Sequence, residues 1–225
     1  MQCTRVPPIS FLIKFVTRHV HHQESKHMNL AGTCVLLLIC SNRSATTDIA
    51  YQRSLEVWNE NSNASETKVY ATDSCGTIAT PFKNIRSIRY AQPSQPTHNR
   101  RRLSGFERLA MLASLDRLKK DNCDFVIKVT GKYPLPSIKR EIERAPKSAA
   151  LLLSSRGESY GGWSSEIFGA KRELLTTSLL AWKDKRNTES FVERLRINHT
   201  FHIMHKMKLP FPVMRSSDKR ILTHL

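Results

Sequence analysis

Apolar runs of strand length alternate along this chain with longer segments whose apolar positions recur at helical spacing. Thr33-Cys-Val-Leu-Leu-Leu-Ile-Cys40 is apolar without a break and stops on the polar turn Ser41-Asn-Arg-Ser44. A run apolar on both faces suits a central parallel strand. Ala50, Leu55 and Val57-Trp58 then fall within a helix-length segment that follows Asp48, and Asn61 to Ser65 breaks it. Lys68-Val-Tyr-Ala71 reads as a second strand, ending on Thr72-Asp-Ser-Cys-Gly76, and the alternating Ile85-Arg-Ser-Ile-Arg-Tyr90 as a more exposed one.

Gln92 to Arg102 is a polar, proline-bearing loop. Ser104 and Glu107 then have the spacing of a capping box, and Phe106, Leu109, Leu112, Leu115 and Leu118 mark the buried face of a helix that closes on Lys119-Lys120. Phe125-Val-Ile-Lys-Val129 is again a buried strand, stopped by Thr130-Gly131. Ser137 to Arg144 predicts a short amphipathic helix and Ala149 to Leu153 another buried strand. Glu166-Ile-Phe-Gly169 leads into a helix over 171–182, and a further helix covers 188–195. The tail from Phe201 to Val213 mixes apolar and basic residues around two prolines and predicts no regular element.

Strands alternating with helices imply an α/β fold: a Rossmann-like, mainly parallel sheet with helices on both faces. No G-x-G-x-x-G follows the first strand and no Walker loop occurs, which argues against a dehydrogenase or a P-loop ATPase. Residues 1–28 form a basic, His-rich N-terminal extension, disordered or targeting in character, and residues 29–225 a single domain. Leu30 to Cys40 could also pass for the apolar core of a signal peptide, but the strand reading fits the alternation better.

Composition changes this picture in one respect. The 225 residues carry a formal net charge of +17, which attracts nucleotides, nucleic acid or acidic lipid without choosing among them. Aromatic residues are 8% of the chain, and no RRM, KH or helix-turn-helix signature appears, which counts against nucleic acid. The five cysteines include no C-x-x-C pair, so a zinc site or a dense disulfide scaffold is not expected. Cys34, Cys40 and Cys123 lie in or beside apolar runs, where cysteine acts as a small hydrophobe. His199, His202 and His205 step by three but have no carboxylate companion in the pattern, and no metal is assigned to them.

In an open α/β sheet, ligands bind beyond the carboxyl ends of the strands. Thr130, Gly131, Lys132 and Tyr133 follow the 125–129 strand. A glycine there allows close backbone approach to a ligand, and a lysine offers charge to a phosphate. The ordered elements together resemble a GT-A-like glycosyltransferase, from a group carrying an (I/V)-x-K-(I/L/M/V)-T-G-(R/K)-Y strand-loop. The matching residues are Ile127-Lys-Val-Thr-Gly-Lys-Tyr133, with one spacer fewer. Val35 to Asn42 resembles the group's opening strand, and Tyr51, Ser54, Leu55 and Trp58 its first helix. Tyr70 to Gly76 is similar to its V-E-N-S-G strand end, Gly105-Phe-Glu107 to its K-G-x-x-E helix start, and Trp163 to Gly169 to its (S/T)-E-x-F-G element. The resemblance covers Cys34 to Leu175.

The resemblance implies transfer of a sugar from a UDP- or GDP-sugar to a glycan or protein acceptor. It would place Ser41, Asn42, Arg43, Asp73, Ser74, Arg102, Glu107, Lys128, Thr130, Gly131, Lys132 and Tyr133 on the donor, and Trp163 and Glu166 on the acceptor. Mn2+ or Mg2+ could serve such an enzyme, but no Asp-x-Asp occurs in the chain. Lysine and arginine are then the available means of stabilising the departing diphosphate. Glu166 and Asp73 are the catalytic candidates: Glu166 could deprotonate an acceptor hydroxyl, and Asp73 could also receive hydrogen bonds from a base or ribose. A catalytically degenerate relative and a basic nucleic-acid-binding protein are the alternatives. The compartment, Golgi and secretory pathway or cytoplasm, is left open.

Overall fold

The computed structural model describes residues 27–28, 31–40, 45–62, 67–74, 83–89, 100–155, 163–182, 188–205, 207–214 and 221–224. Seven strands form one sheet: β1 (Thr33–Ile39), β2 (Lys68–Asp73), β3 (Ile85–Ile88), β4 (Phe125–Thr130), β5 (Leu151–Ser155), β6 (Trp163–Lys171) and β7 (Phe201–Ile203). Their spatial order is β3-β2-β1-β4-β6-β5-β7. The pairs β3–β2, β2–β1, β1–β4 and β5–β7 are parallel, and β6 runs antiparallel to both of its neighbours. The helices are α1 (Ala45–Ser62), α2 (Arg100–Lys120), α3 (Ile138–Arg144), α4 (Arg172–Ala181) and α5 (Thr188–Asn198), and β8 (Lys208–Met214) pairs with β9 (Ile221–His224) in a separate ribbon. The molecule is therefore a Rossmann-like α/β fold with a mostly parallel sheet.

Strand alternation explains the layering. Val35, Leu37, Ile39, Val69, Ala71, Ile127 and Val129 face one way and pack with Tyr51, Leu55 and Trp58 of α1 and Ile138 and Ile142 of α3. Leu209 and Val213 of β8 join the same layer. Leu36, Leu38, Tyr70, Val126 and Phe168 face the other way, against Met111, Leu115 and Leu118 of α2, Leu175 and Leu179 of α4, and Phe191 of α5. Because β1 and β4 bury both faces, β1 reads as an unbroken apolar run and β4 as one interrupted at Lys128.

The joint between α2 and β4 is built by a helix stop. Asn122 takes φ 57°; its N–H donates to the carbonyl of Lys119, and the N–H of Cys123 donates to that of Leu118. This is a Schellman stop with asparagine at the left-handed position. It turns Cys123 back towards β1, where it is joined to Cys34 by a disulfide with Cα atoms 5.7 Å apart. Cys34 and Cys123 are thus not independent small hydrophobes, as their surroundings in sequence suggested. Their sulfurs meet because the first and fourth strands are neighbours.

Three further expectations change. The helix at 100–120 starts four residues before Ser104, so Ser104 and Glu107 lie inside it and form no capping box. Glu166 does lead towards a helix, α4, but it lies in the middle of a strand, β6, and not at the helix N-terminus. The tail forms β7, β8 and β9. Within the 30–40 segment, Thr33–Ile39 is a buried central strand. Most of the basic extension lies outside the described residues.

Candidate functional site

Register fixes what meets at the carboxyl edge of the sheet. Ile39 of β1 stands beside Asp73 of β2, and Leu38 beside Thr130 of β4. The β4–β6 ladder runs from Phe125 opposite Lys171 to Val129 opposite Ile167, so Thr130 and Glu166 stand at its open end. Asp73, Lys128, Thr130, Lys132 and Glu166 are therefore gathered along one edge. At ~4.8 Å per strand, Asp73 lies about 10 Å from the β4 end and about 14 Å from Glu166.

Lys128 is the most informative of these. It is not on an edge strand, because β4 sits between β1 and β6 in the middle of the sheet. Lys128 is 2% exposed. Its Nζ donates to Thr130 Oγ1 at 3.0 Å and to the carbonyl of Ser165 at 2.6 Å. The Phe168 ring lies 6.0 Å from it. Both oxygens stand nearer the strand end than Lys128 itself, so the ammonium is drawn towards the edge. Among the described residues no carboxylate pairs with it. A buried ammonium held only by neutral oxygens has poor compensation for its lost hydration.

Several other expected residues are buried as well. Lys132 is buried rather than solvated, with Nζ 5.0 Å from the Tyr133 ring centre. Tyr133 is fully buried in the layer under α1, and its carbonyl accepts from Trp58 Nε1 at 3.1 Å. Gly131 approaches the end of β1 closely. Its N–H donates to the Leu38 carbonyl at 2.8 Å, and a Cβ there would stand 2.9 Å from Ile39 Cγ1. The N–H and Oγ of Ser74 both donate to the Ile39 carbonyl, at 2.8 and 2.9 Å, closing the end of β1 on β2. Asp73 is 1% exposed at the last position of β2. Glu166 is half-buried, and its N–H donates to Ser164 Oγ at 3.2 Å. Glu107 is half-buried on α2. Trp163 opens β6 opposite Ser155 and Arg102 lies in α2, but their side chains fall outside the described residues, as do Ser41, Asn42 and Arg43 altogether.

Asp73 and Glu166 stand three strands apart, too far to share one ion, and no group of three metal-ligating side chains occurs among the described residues.

Two polar clusters lie away from the edge, and the sequence reading missed both. On the α3 side, the buried Glu141 receives the backbone N–H of His205 at 2.6 Å, His205 Nδ1 at 3.1 Å and Arg144 Nη1 at 2.9 Å. Burial pushes its carboxyl up, but these donors outweigh burial and hold it below the usual range. On the α2 side, Tyr70 Oη donates to Asp121 Oδ2 at 2.8 Å and accepts from Arg86 Nη1 at 3.2 Å. Burial, then the bond to Asp121, pushes Tyr70 up to about 12. The Tyr70 hydrogen bond, against burial and aided by Arg117, Arg86 and Lys68, lowers Asp121. The basic alternation Ile85-Arg-Ser-Ile-Arg was the available signal for this second cluster.

No protein-family profile matches the sequence, and no curated protein matches it. Several solved structures align with it at low identity. A protein of Desulfovibrio desulfuricans G20 described as a nucleotide-diphospho-sugar transferase aligns at TM-score 0.48 and 9% identity, over 77% of this chain and 79% of its own. A glycosyltransferase involved in glycosylation of the major capsid of PBCV-1 aligns at 0.48 and 8%, over 76% and 81%. A cytidylyltransferase of Leptospira borgpetersenii serovar Hardjo-bovis aligns at 0.49 and 14%, over 88% and 82%.

Proposed function

We propose that the chain is a nucleotide-sugar-dependent glycosyltransferase that manages its leaving group with side-chain cations. The observation that carries this reading is Lys128: a buried ammonium at the carboxyl edge of the central strand, bonded to two neutral oxygens and to no described carboxylate. Such a cation is stabilised by an anion arriving from outside, and a diphosphate is an anion suited to a strand-end site.

In this reading the nucleoside lies towards Asp73, whose carboxylate accepts from base or ribose. The diphosphate lies over the ends of β1 and β4, near Lys128, Thr130 and Lys132, and the sugar points towards β6. Glu166 takes the proton of an acceptor hydroxyl as that oxygen bonds the anomeric carbon. The bond from that carbon to the phosphate oxygen breaks, and the nucleoside diphosphate leaves with the electron pair. Asp73 and Glu166 thus have separate tasks, as their three-strand separation requires. The acceptor is a glycan or protein hydroxyl. The Cys34–Cys123 disulfide supports folding in an oxidising compartment, such as the secretory pathway.

A melting screen with UDP- and GDP-sugars, with and without manganese, tests the reading. The right donor raises Tm equally in both conditions; a ligand at a hundred times its Kd adds about 2.7 kcal/mol. Lys128→Met abolishes the shift. Glu166→Gln keeps it and lowers transfer by about 10²-fold or more. A donor shift without turnover of the bound sugar under any acceptor supports the degenerate relative. No shift from any nucleotide, with salt-sensitive binding to random DNA, favours the nucleic-acid alternative.

A further inference from the structure

Between edge strand β3 and helix α2 lies an open groove of about 550 Å³, lined by Tyr70, Arg86, Ser87, Ile88, Arg89, Ala113, Asp116, Arg117 and Lys120. Four of these residues are cations and one is a carboxylate. Asp121, beside the groove, pairs with Arg86 and Arg117 and offsets part of that charge; four cations against the two carboxylates of Asp116 and Asp121 leave an excess of two.

The two central arginines are held in place while remaining open to solvent. Arg86 rests Nη1 on Tyr70 Oη, its guanidinium lies 5.7 Å from the Tyr70 ring centre, and 57% of its side chain is exposed. Arg117 sets Nε 3.5 Å from Asp121 Oδ2 and is also 57% exposed. Each guanidinium is fixed at one nitrogen and presents others outward, so less side-chain entropy is lost when an anion binds. Arg89 and Lys120 make no described bond and are exposed.

The groove runs along β3 towards the carboxyl edge of the sheet. Thr72 pairs with Ile88, and the next step of the same register sets Arg89 beside Asp73. An extended ligand lying along β3 would therefore reach the carboxyl edge with its end.

We propose that this groove binds an anionic glycan, one bearing sulfate or uronate groups, and that such a glycan is the acceptor. The acceptor role rests on the glycosyltransferase reading; the binding itself does not. Planar guanidiniums match carboxylate and sulfate oxygens in pairs. The groove offers no stacking platform for bases, since its aromatic residue, Tyr70, is 1% exposed. Its β3 wall is four residues long, about 13 Å of strand, the scale of a few sugar rings and not of a wide duplex contact.

The test uses the full chain at fixed salt. Heparin, chondroitin sulfate, hyaluronan and DNA of matched length and charge are titrated against the parent protein, Arg86→Ala, and Arg89→Glu/Lys120→Glu. The double variant touches no described hydrogen bond, so its fold is expected to be kept, and an unchanged Tm checks this. The expected result is at least one sulfated or uronate glycan binding more tightly than DNA, weakened about tenfold or more in the double variant, with the nucleotide-sugar melting shift intact. Glycan binding unchanged in the double variant overturns the groove as the site, and DNA binding more tightly than every glycan overturns the ligand class. No nucleotide-sugar shift, with glycan binding still lost in the variant, overturns the transferase reading and the acceptor role while upholding the groove as a glycan site.

Discussion

Two glycines with opposite surroundings show how little of a residue's role lies in its type. Gly131 is wedged where β4 ends against β1, and an added methyl would meet Ile39 Cγ1 at 2.9 Å, the Leu38 carbonyl at 3.3 Å and the Tyr51 ring at 3.4 Å. Backbone gives way less easily than a side-chain tip, so Gly131→Ala is expected to cost about 1–3 kcal/mol by overpacking. Gly105 lies inside α2 with nothing within 4 Å of its missing Cβ. There alanine is expected to add about 0.5–1 kcal/mol, because it restricts the unfolded chain and suits a helix. Urea unfolding of the two variants checks both signs, and a neutral Gly131→Ala would mean that the β4–β1 junction relaxes freely. Lys128 makes the same point chemically. In sequence it is a lysine interrupting an apolar strand; in the fold it is a buried cation because β6 lies alongside and offers Ser165 and Phe168.

At the scale of elements, α3 and the β7–β8 connection are held together through one buried carboxylate. Glu141 is deep enough that its three donors, two of them from His205, are poorly replaced by water. Its folded-state value lies below its unfolded one, so its contribution to stability is fully present above the unfolded value. It is lost as pH falls through the depressed folded value. Glu141→Gln is expected to destabilise by about 2 kcal/mol near neutrality, the worth of a charged hydrogen bond. It should also flatten the acid limb of a stability–pH curve below about pH 4.5. An acid limb identical to the parent's would remove Glu141 from that transition. The elements that the sequence made legible are those whose pattern is complete in themselves: β1 as an unbroken apolar run, β4 as one interrupted only at Lys128, α2 by its leucine spacing. β6 was hidden because its first half, Trp-Ser-Ser-Glu, is polar and its burial comes from β4 and β5, both brought alongside by folding. β7 has three residues, two of them exposed, and carries almost no periodic signal. For the site, the edge location followed from strand ends, whereas the separation of Asp73 from Glu166 depended on strand order, which no local pattern encodes.

For the whole molecule, the tie between Cys34 and Cys123 spans 89 residues of sequence. Closing a loop of that length in the unfolded chain corresponds to roughly 3–5 kcal/mol of stabilisation in the chain-entropy account. Both cysteines are inaccessible in the folded state, so reductant is expected to act mainly through unfolding. Melting with dithiothreitol should fall well below melting without it, and Cys34→Ser/Cys123→Ser should melt low in both conditions. Equal melting of the parent in both conditions would show that the link adds nothing. The same bond also fixes how the protein comes apart when it is cut. A protease that nicks the backbone once between the two sulfurs leaves two fragments that still migrate as one band on a non-reducing gel, and only a thiol separates them.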